Sequence, residues 1–113
     1  MFYTVEECHP GLLLVSIVGR ITVENGDGVF VEAIESALAH ASHPRQLIVD
    51  FAEVTSIDSC GLGELVTGYL RAQRVGCRLG VVRANARVME ILRVTRLAPI
   101  LLDPSMTDVA ALV

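Results

Sequence analysis

A carboxylate and a hydroxyl stand side by side at Asp58 and Ser59, just before a predicted helix. The first turn of a helix has unpaired backbone N–H groups and the positive end of the helix dipole. A serine in this position can carry a phosphate, which those groups would stabilise. It can also be a plain N-cap, and spacing alone favours that simpler role. Ser59 is therefore a candidate site with two interpretations open.

Two predicted elements position this pair. Residues 47–51 form an apolar run that is typical of a buried strand, and a tight loop is expected to follow it. A helix is predicted to open at Gly61 and to end at Gly76, since glycine is favoured just after a helix. Its apolar side chains recur at helical spacing and are expected to face the core: Leu62, Leu65, Val66, Tyr69 and Leu70.

The N-terminal half is predicted to supply a hairpin and a helix. Residues 2–8 and 12–18 suit two strands, and the turn signal His9-Pro10-Gly11 between them favours antiparallel pairing. Asn25 or Asp27 could cap the helix that follows. Because this helix precedes it, the strand at 47–51 must run parallel to an earlier strand. The helix has one apolar stripe: Phe30, Ala33, Ile34, Ala37 and Leu38.

The C-terminal half continues the alternation of strands and helices. Residues 79–82 suit a buried strand, Asn85 is placed to cap a helix, and residues 99–102 are predicted to be a short last strand. Ser105 to Asp108 resembles a capping box that would start a closing helix. The element order β-β-α-β-α-β-α-β-α predicts an α/β fold, a mixed sheet with helices mainly on one face. The closing helix would turn Met106, Val109, Ala110 and Val113 inward.

Length and composition indicate a single domain spanning residues 1–113, with enough apolar side chains for one core. The hydrophobic content of 52% with only 4% aromatic residues suits aliphatic strands buried on both faces. No apolar run approaches the roughly eighteen residues that span a bilayer. The N-terminus lacks the basic and apolar regions of a signal peptide. The expected location is the cytoplasm, without membrane insertion.

The charge distribution argues against nucleic-acid binding. The net charge is −4, there is no lysine, and seven of the nine arginines lie in residues 59–113. Arginines spread over several elements are more often solvated helix faces than a binding patch. Aromatic side chains for base stacking are nearly absent.

The three cysteines, Cys8, Cys60 and Cys77, have no metal-ligand spacing, so no metal or other cofactor is expected. Cys77 and Arg83 match the C-x5-R spacing of a phosphatase loop, but the residues between them suit a strand. No histidine base lies at a recognisable spacing from a cysteine nucleophile. The chain is therefore predicted not to be an enzyme.

Residues 57–66, Ile-Asp-Ser-Cys-Gly-Leu-Gly-Glu-Leu-Val, are similar to the Asp-Ser-(Ser/Thr)-Gly-Leu-Gly signature of one family. The chain resembles a STAS domain of the bacterial anti-sigma factor antagonist type, nearly from end to end. The segments Gly-Cys-Arg-Leu at 76–79 and Ile-Leu-Arg-Val-Thr-Arg-Leu at 91–97 also follow the family pattern. The resemblance implies a STAS-type fold and a regulatory, non-enzymatic role.

This resemblance implies a partner switch at Ser59. The serine after the aspartate would be phosphorylated by an anti-sigma factor that is itself a serine kinase, and a serine phosphatase would reset it. The unphosphorylated protein would bind the kinase and release a sigma factor. Gly61 and Gly63 would let a partner backbone approach closely, or would serve only tight packing. The resemblance assigns these residues to the partner surface: Thr22, Asp58, Ser59, Cys60, Gly61, Leu62 and Gly63.

Two positions depart from the family pattern. Cys60 replaces the usual serine or threonine, and Thr22 stands where the family typically has aspartate, beside Ser59. Glu24 or Asp27 could replace that missing charge. The departure at Thr22 and the apolar composition leave an alternative open. In it, the chain is a non-switching STAS scaffold, a subunit of a transporter ATPase complex or of a stressosome-like assembly.

Overall fold

The computed structural model describes residues 1–25 and 28–102, and within them the chain forms one mixed sheet of four strands in the order β1-β2-β3-β4. The strands are β1 (Phe2–His9), β2 (Leu12–Ile21), β3 (Gln46–Ile57) and β4 (Arg78–Val82). The helices are α1 (Val29–Leu38), α2 (Ser59–Arg74), α3 (Ala86–Val94) and the short α4 (Ala98–Leu101), with a single 3-10 turn at Val23–Asn25.

Strand pairing follows the predicted connections. β1 and β2 pair antiparallel as a hairpin, and Gly11 adopts a left-handed φ of 81° in the turn between them. β2 pairs parallel with β3, and β3 pairs parallel with β4, because a helix connects the strands of each pair. This confirms the α/β class and the mixed sheet.

One face of the sheet carries the main core. Alternate residues of β2 and β3, among them Val15, Val49 and Phe51, are buried there. Buried residues of all four described helices belong to the same apolar cluster, as predicted for helices mainly on one face. A smaller cluster on the opposite face buries Ile48 and Val82. The two buried faces explain the aliphatic, aromatic-poor composition.

Residues 98–101 are helical, so the strand predicted over residues 99–102 is wrong. Pro99 lies in the first turn of α4, where its missing N–H is not needed and its fixed φ suits a helix. The N–H of Leu101 donates to the carbonyl of Leu97 at 2.9 Å, which closes the turn. The predicted closing helix and its capping box from Ser105 to Asp108 lie outside the described residues.

The helix ends agree with prediction at α3 and differ at α1. The side chain of Asn85 accepts a hydrogen bond from the N–H of Val88 at 2.9 Å, which confirms the predicted cap. At α1 the N-cap is Gly28, with φ of 82°, so Asn25 does not hold that position. Asp27, the other predicted cap, lies outside the described residues.

Candidate functional site

The site stands where β2 and β3 end together. Ile21 pairs with Ile57, so the next residues of the two strands, Thr22 and Asp58, emerge at the same end of the sheet. β3 continues to Ile57, and the tight loop predicted after residue 51 is not formed. Val54 and Ile57 remain buried along this extension, and β2 is long enough to pair with it. The connection into α2 is a single residue, Asp58.

Asp58 is the N-cap of α2 and also holds the neighbouring loop. Its Oδ1 accepts a hydrogen bond from the N–H of Gly61 at 2.8 Å, and its Oδ2 accepts one from the N–H of Val23 at 3.0 Å. Its own N–H donates to the carbonyl of Ile21 at 3.3 Å. The bonds from Val23 and Gly61 lower the pKa of Asp58, because they favour the ionised carboxylate.

Ser59 is the first helical residue and is exposed. The interpretation of Ser59 as a plain N-cap is therefore wrong, because Asp58 fills that role and the helix begins two residues before Gly61. Within the part of the chain that the structure describes, the Ser59 hydroxyl makes no hydrogen bond. It lies at the positive end of a sixteen-residue helix, open to solvent.

The two glycines after Ser59 have different surroundings. Gly61 is buried, and a Cβ there would overlap the carbonyl oxygen of Ile21 and lie 2.8 Å from Cγ1 of Ile57. Close packing of α2 on the end of β2 accounts for this glycine without a partner. Gly63 is exposed, with open space where a Cβ would project. Its role in partner approach stays a prediction.

The remaining predicted surface residues lie around Ser59 with mixed exposure. Cys60 is exposed and Leu62 is half-buried. On the loop side, Thr22 is half-buried and Val23 is 54% exposed. The structure therefore brings Thr22 to the Asp58 end of α2, as the resemblance implies.

Glu24 or Asp27 could supply the negative charge that the family's aspartate would provide at position 22. The structure does not place Glu24 in that role. Glu24 forms an exposed ion pair with Arg20 at 3.7 Å, within the same loop region. Asp27 lies outside the described residues. Besides Asp58, the structure brings a further acid beside Thr22: Glu64 of α2, which sequence reasoning missed.

Glu64 caps α1 from the neighbouring helix. Its Oε1 accepts hydrogen bonds from the N–H groups of Phe30 at 3.0 Å and Val31 at 3.4 Å. Gly28 has no side chain with which to cap the helix, so the free donors of the first turn need an acceptor from elsewhere. That acceptor lies more than thirty residues along the chain, beyond the reach of local sequence patterns.

The three cysteines differ in exposure: Cys8 is half-buried, Cys60 is exposed and Cys77 is buried. Cys77 is buried, and burial raises its pKa to about 11. The residues between Cys77 and Arg83 form β4, and Arg83 makes two hydrogen bonds to Asp50, so the C-x5-R match is not a phosphatase loop. Residues 1–25 and 28–102 contain no cluster of three side chains suited to a metal ion. None of their helices is both long and apolar enough to cross a membrane.

The family model described as "Mlab, STAS domain" matches residues 9–103. The chain therefore belongs to the STAS domain family. No curated protein matches the chain.

Solved structures with the same fold include anti-sigma factor antagonists. An anti-sigma factor antagonist from Mycobacterium paratuberculosis has 26% identity and a TM-score of 0.76, over 99% of this chain and 92% of that one. The phosphorylated Bacillus cell fate determinant SpoIIAA has 14% identity and a TM-score of 0.68, over 97% of each chain. A sulfate transporter family protein from Wolinella succinogenes has 16% identity and a TM-score of 0.66, over 83% and 74%. At these two lower identities the likeness shows the fold alone.

Proposed function

We propose that this chain is a cytoplasmic, non-enzymatic anti-sigma factor antagonist that works as a single STAS domain. Unphosphorylated protein binds an anti-sigma factor serine kinase and so releases a sigma factor. Phosphorylation of Ser59 ends that binding, and a serine phosphatase restores it. The observation that carries the proposal is the Ser59 hydroxyl, exposed and without a hydrogen bond among the described residues, at the first position of a helix that Asp58 already caps. Similarity to the mycobacterial antagonist supports the choice of partner.

The surroundings of Ser59 suit a switch by charge. Cys60, Gly63 and Val23 are exposed and uncharged, and both oxygens of Asp58 accept hydrogen bonds from backbone N–H groups. A partner that fits these uncharged residues buries a small neutral hydroxyl at Ser59. A phosphate would add about −1.5 to −2 charges there. Burying that charge without a pairing group on the partner would weaken binding by roughly a hundredfold or more.

The same phosphate need not disturb the fold. The hydroxyl gives up no hydrogen bond to another described residue when it is modified. The helix dipole at the start of α2 favours an added negative charge. Partner affinity and domain stability should therefore respond separately to phosphorylation.

The scaffold alternative predicts that a negative charge at residue 59 leaves partner binding unchanged. A subunit of a transporter ATPase complex or a stressosome-like assembly would keep its partner when residue 59 becomes acidic. Thr22, at the end of β2, is the position that motivates this alternative.

A pull-down from host lysate with wild type, Ser59→Asp and Ser42→Asp tests both functions. Ser42 is exposed in the segment before β3, at the opposite end of that strand, so its variant controls for added charge. We expect wild type and Ser42→Asp to capture an anti-sigma factor kinase and Ser59→Asp to lose it. Incubation of the captured kinase with ATP should phosphorylate wild type at Ser59. Equal capture of transporter or scaffold subunits by all three proteins would overturn the switch.

A further inference from the structure

The residues just after β2 and the first turn of α1 are each attached to the start of α2 by a carboxylate. After β2, Asp58 accepts a hydrogen bond from the N–H of Val23 at 3.0 Å. In the first turn of α1, the N–H groups of Phe30 and Val31 donate to Glu64. Ser59 lies between these two carboxylates in the sequence, at the first position of α2.

Glu64 lies beside both the first turn of α1 and Thr22. It is half-buried and lines a narrow cleft with Thr22, Ile21 and Val29. The cleft joins the end of β2, the start of α1 and the first turns of α2. Since Gly28 offers no side-chain cap, Glu64 is the side chain that receives the first-turn donors of α1.

We propose that Glu64 is a positioning residue for the Ser59 surface. It fixes the first turn of α1 against α2 through Phe30 and Val31, and it lines one cleft with Thr22, so that Thr22 and Val23 meet a partner in one arrangement with Ser59. The inference rests on the proposed function, because it assigns to the partner surface a segment outside α2. A negative carboxylate suits the task, since it also lies at the positive end of α1.

Three variants separate this role from a general loss of charge. Glu64→Ala removes the acceptor, and Glu64→Gln keeps a side-chain oxygen without the charge. Glu90→Ala removes an exposed acid from α3 and is the matched control. The rate of amide hydrogen exchange at Phe30 and Val31 measures how firmly their N–H groups are bonded to residue 64. The Kd for the anti-sigma factor kinase measures how well the Ser59 surface binds its partner.

In Glu64→Ala we expect exchange at Phe30 and Val31 to rise roughly fivefold, the size expected for a lost helix cap. The Kd for the kinase should rise by a similar factor, while Glu64→Gln recovers most of both losses and Glu90→Ala changes neither. Unchanged exchange in Glu64→Ala would overturn the proposal. The proposal would also be overturned if folded Glu64→Ala showed faster exchange but an unchanged Kd. Glu64 would then stabilise the start of α1 without affecting partner binding.

A failure of the proposed function would give a different result from a failure of the Glu64 proposal. A partner that binds wild type and Ser59→Asp equally would overturn the switch but not the role of Glu64. The Kd of Glu64→Ala for that same partner would then decide whether Glu64 positions the surface.

Discussion

Asp58 Oδ2 lies 3.0 Å from the backbone nitrogen of Val23, so the residue before Ser59 fastens the loop that follows β2. The other oxygen of the same carboxylate caps α2 through Gly61. One side chain therefore sets both the start of the helix and the position of the loop beside it.

Replacing Asp58 by alanine should release both attachments, because alanine has no acceptor. Exchange at the N–H groups of Val23 and Gly61 should become faster, and the Tm should fall. Asp58→Asn should fall between wild type and Asp58→Ala, since asparagine is an equally good N-cap but has one side-chain oxygen and can keep only one of the two bonds. Thermal unfolding and amide exchange check the prediction. Equal exchange rates in Asp58→Ala and wild type would contradict it.

Stability should depend on pH through Asp58. Hydrogen bonds from Val23 and Gly61 lower its pKa in the folded protein, so the unfolded chain binds a proton more readily. The stabilisation is therefore present above the ordinary carboxyl pKa of about 3.9 and is lost as the pH falls through the lowered folded pKa. Urea unfolding from pH 6 to pH 2 should show a steeper loss in wild type than in Asp58→Asn, which does not titrate there. Parallel curves would contradict this prediction.

Alanine at Gly61 and at Gly63 should have opposite effects on the free energy of unfolding. At Gly61 the new Cβ would meet the end of β2, which should cost about 1–3 kcal/mol. At Gly63 the space is open, and the higher helix propensity of alanine should add roughly 0.8–1 kcal/mol. Urea titration of both variants measures this. A stabilised Gly63→Ala that binds its partner less well would also support close backbone approach at that position.

Alkylation should distinguish Cys60 from Cys77. With a pKa of about 11, Cys77 has a thiolate fraction of roughly one in ten thousand at pH 7. It is also buried, while Cys60 is exposed. Iodoacetamide followed by peptide mass spectrometry should modify Cys60 first and Cys77 only after unfolding, and Cys60→Ser should remove the early product. Fast, selective modification of Cys77 in folded protein would reopen the interpretation as an enzyme.

Local sequence patterns predicted most of the helices and strands correctly. They predicted poorly the side-chain hydrogen bonds that join one element to another. Asn85 could be predicted as a cap because capping is local. Its side-chain oxygen accepts from Val88, only three residues further along the chain. For Ser59 the residue types were right, but capping depends on which residue has extended backbone angles, and that residue is Asp58. Residues 99–102 are too short and apolar for periodicity to separate strand from helix.

Glu64 marks a different limit of sequence reasoning. Its partners, Phe30 and Val31, are chosen by the packing of α1 on α2, which no pattern within either helix specifies. The apolar stripes of both helices showed which faces would meet, but they did not fix the polar contacts at the ends of those faces.

The solvent-facing Ser59 hydroxyl has a consequence for response time. Because it takes part in no hydrogen bond to another described residue, adding a phosphate does not have to wait for one to break. In the proposed switch, the turnover of the kinase, and not a rearrangement of this domain, would then set how fast Ser59 is phosphorylated.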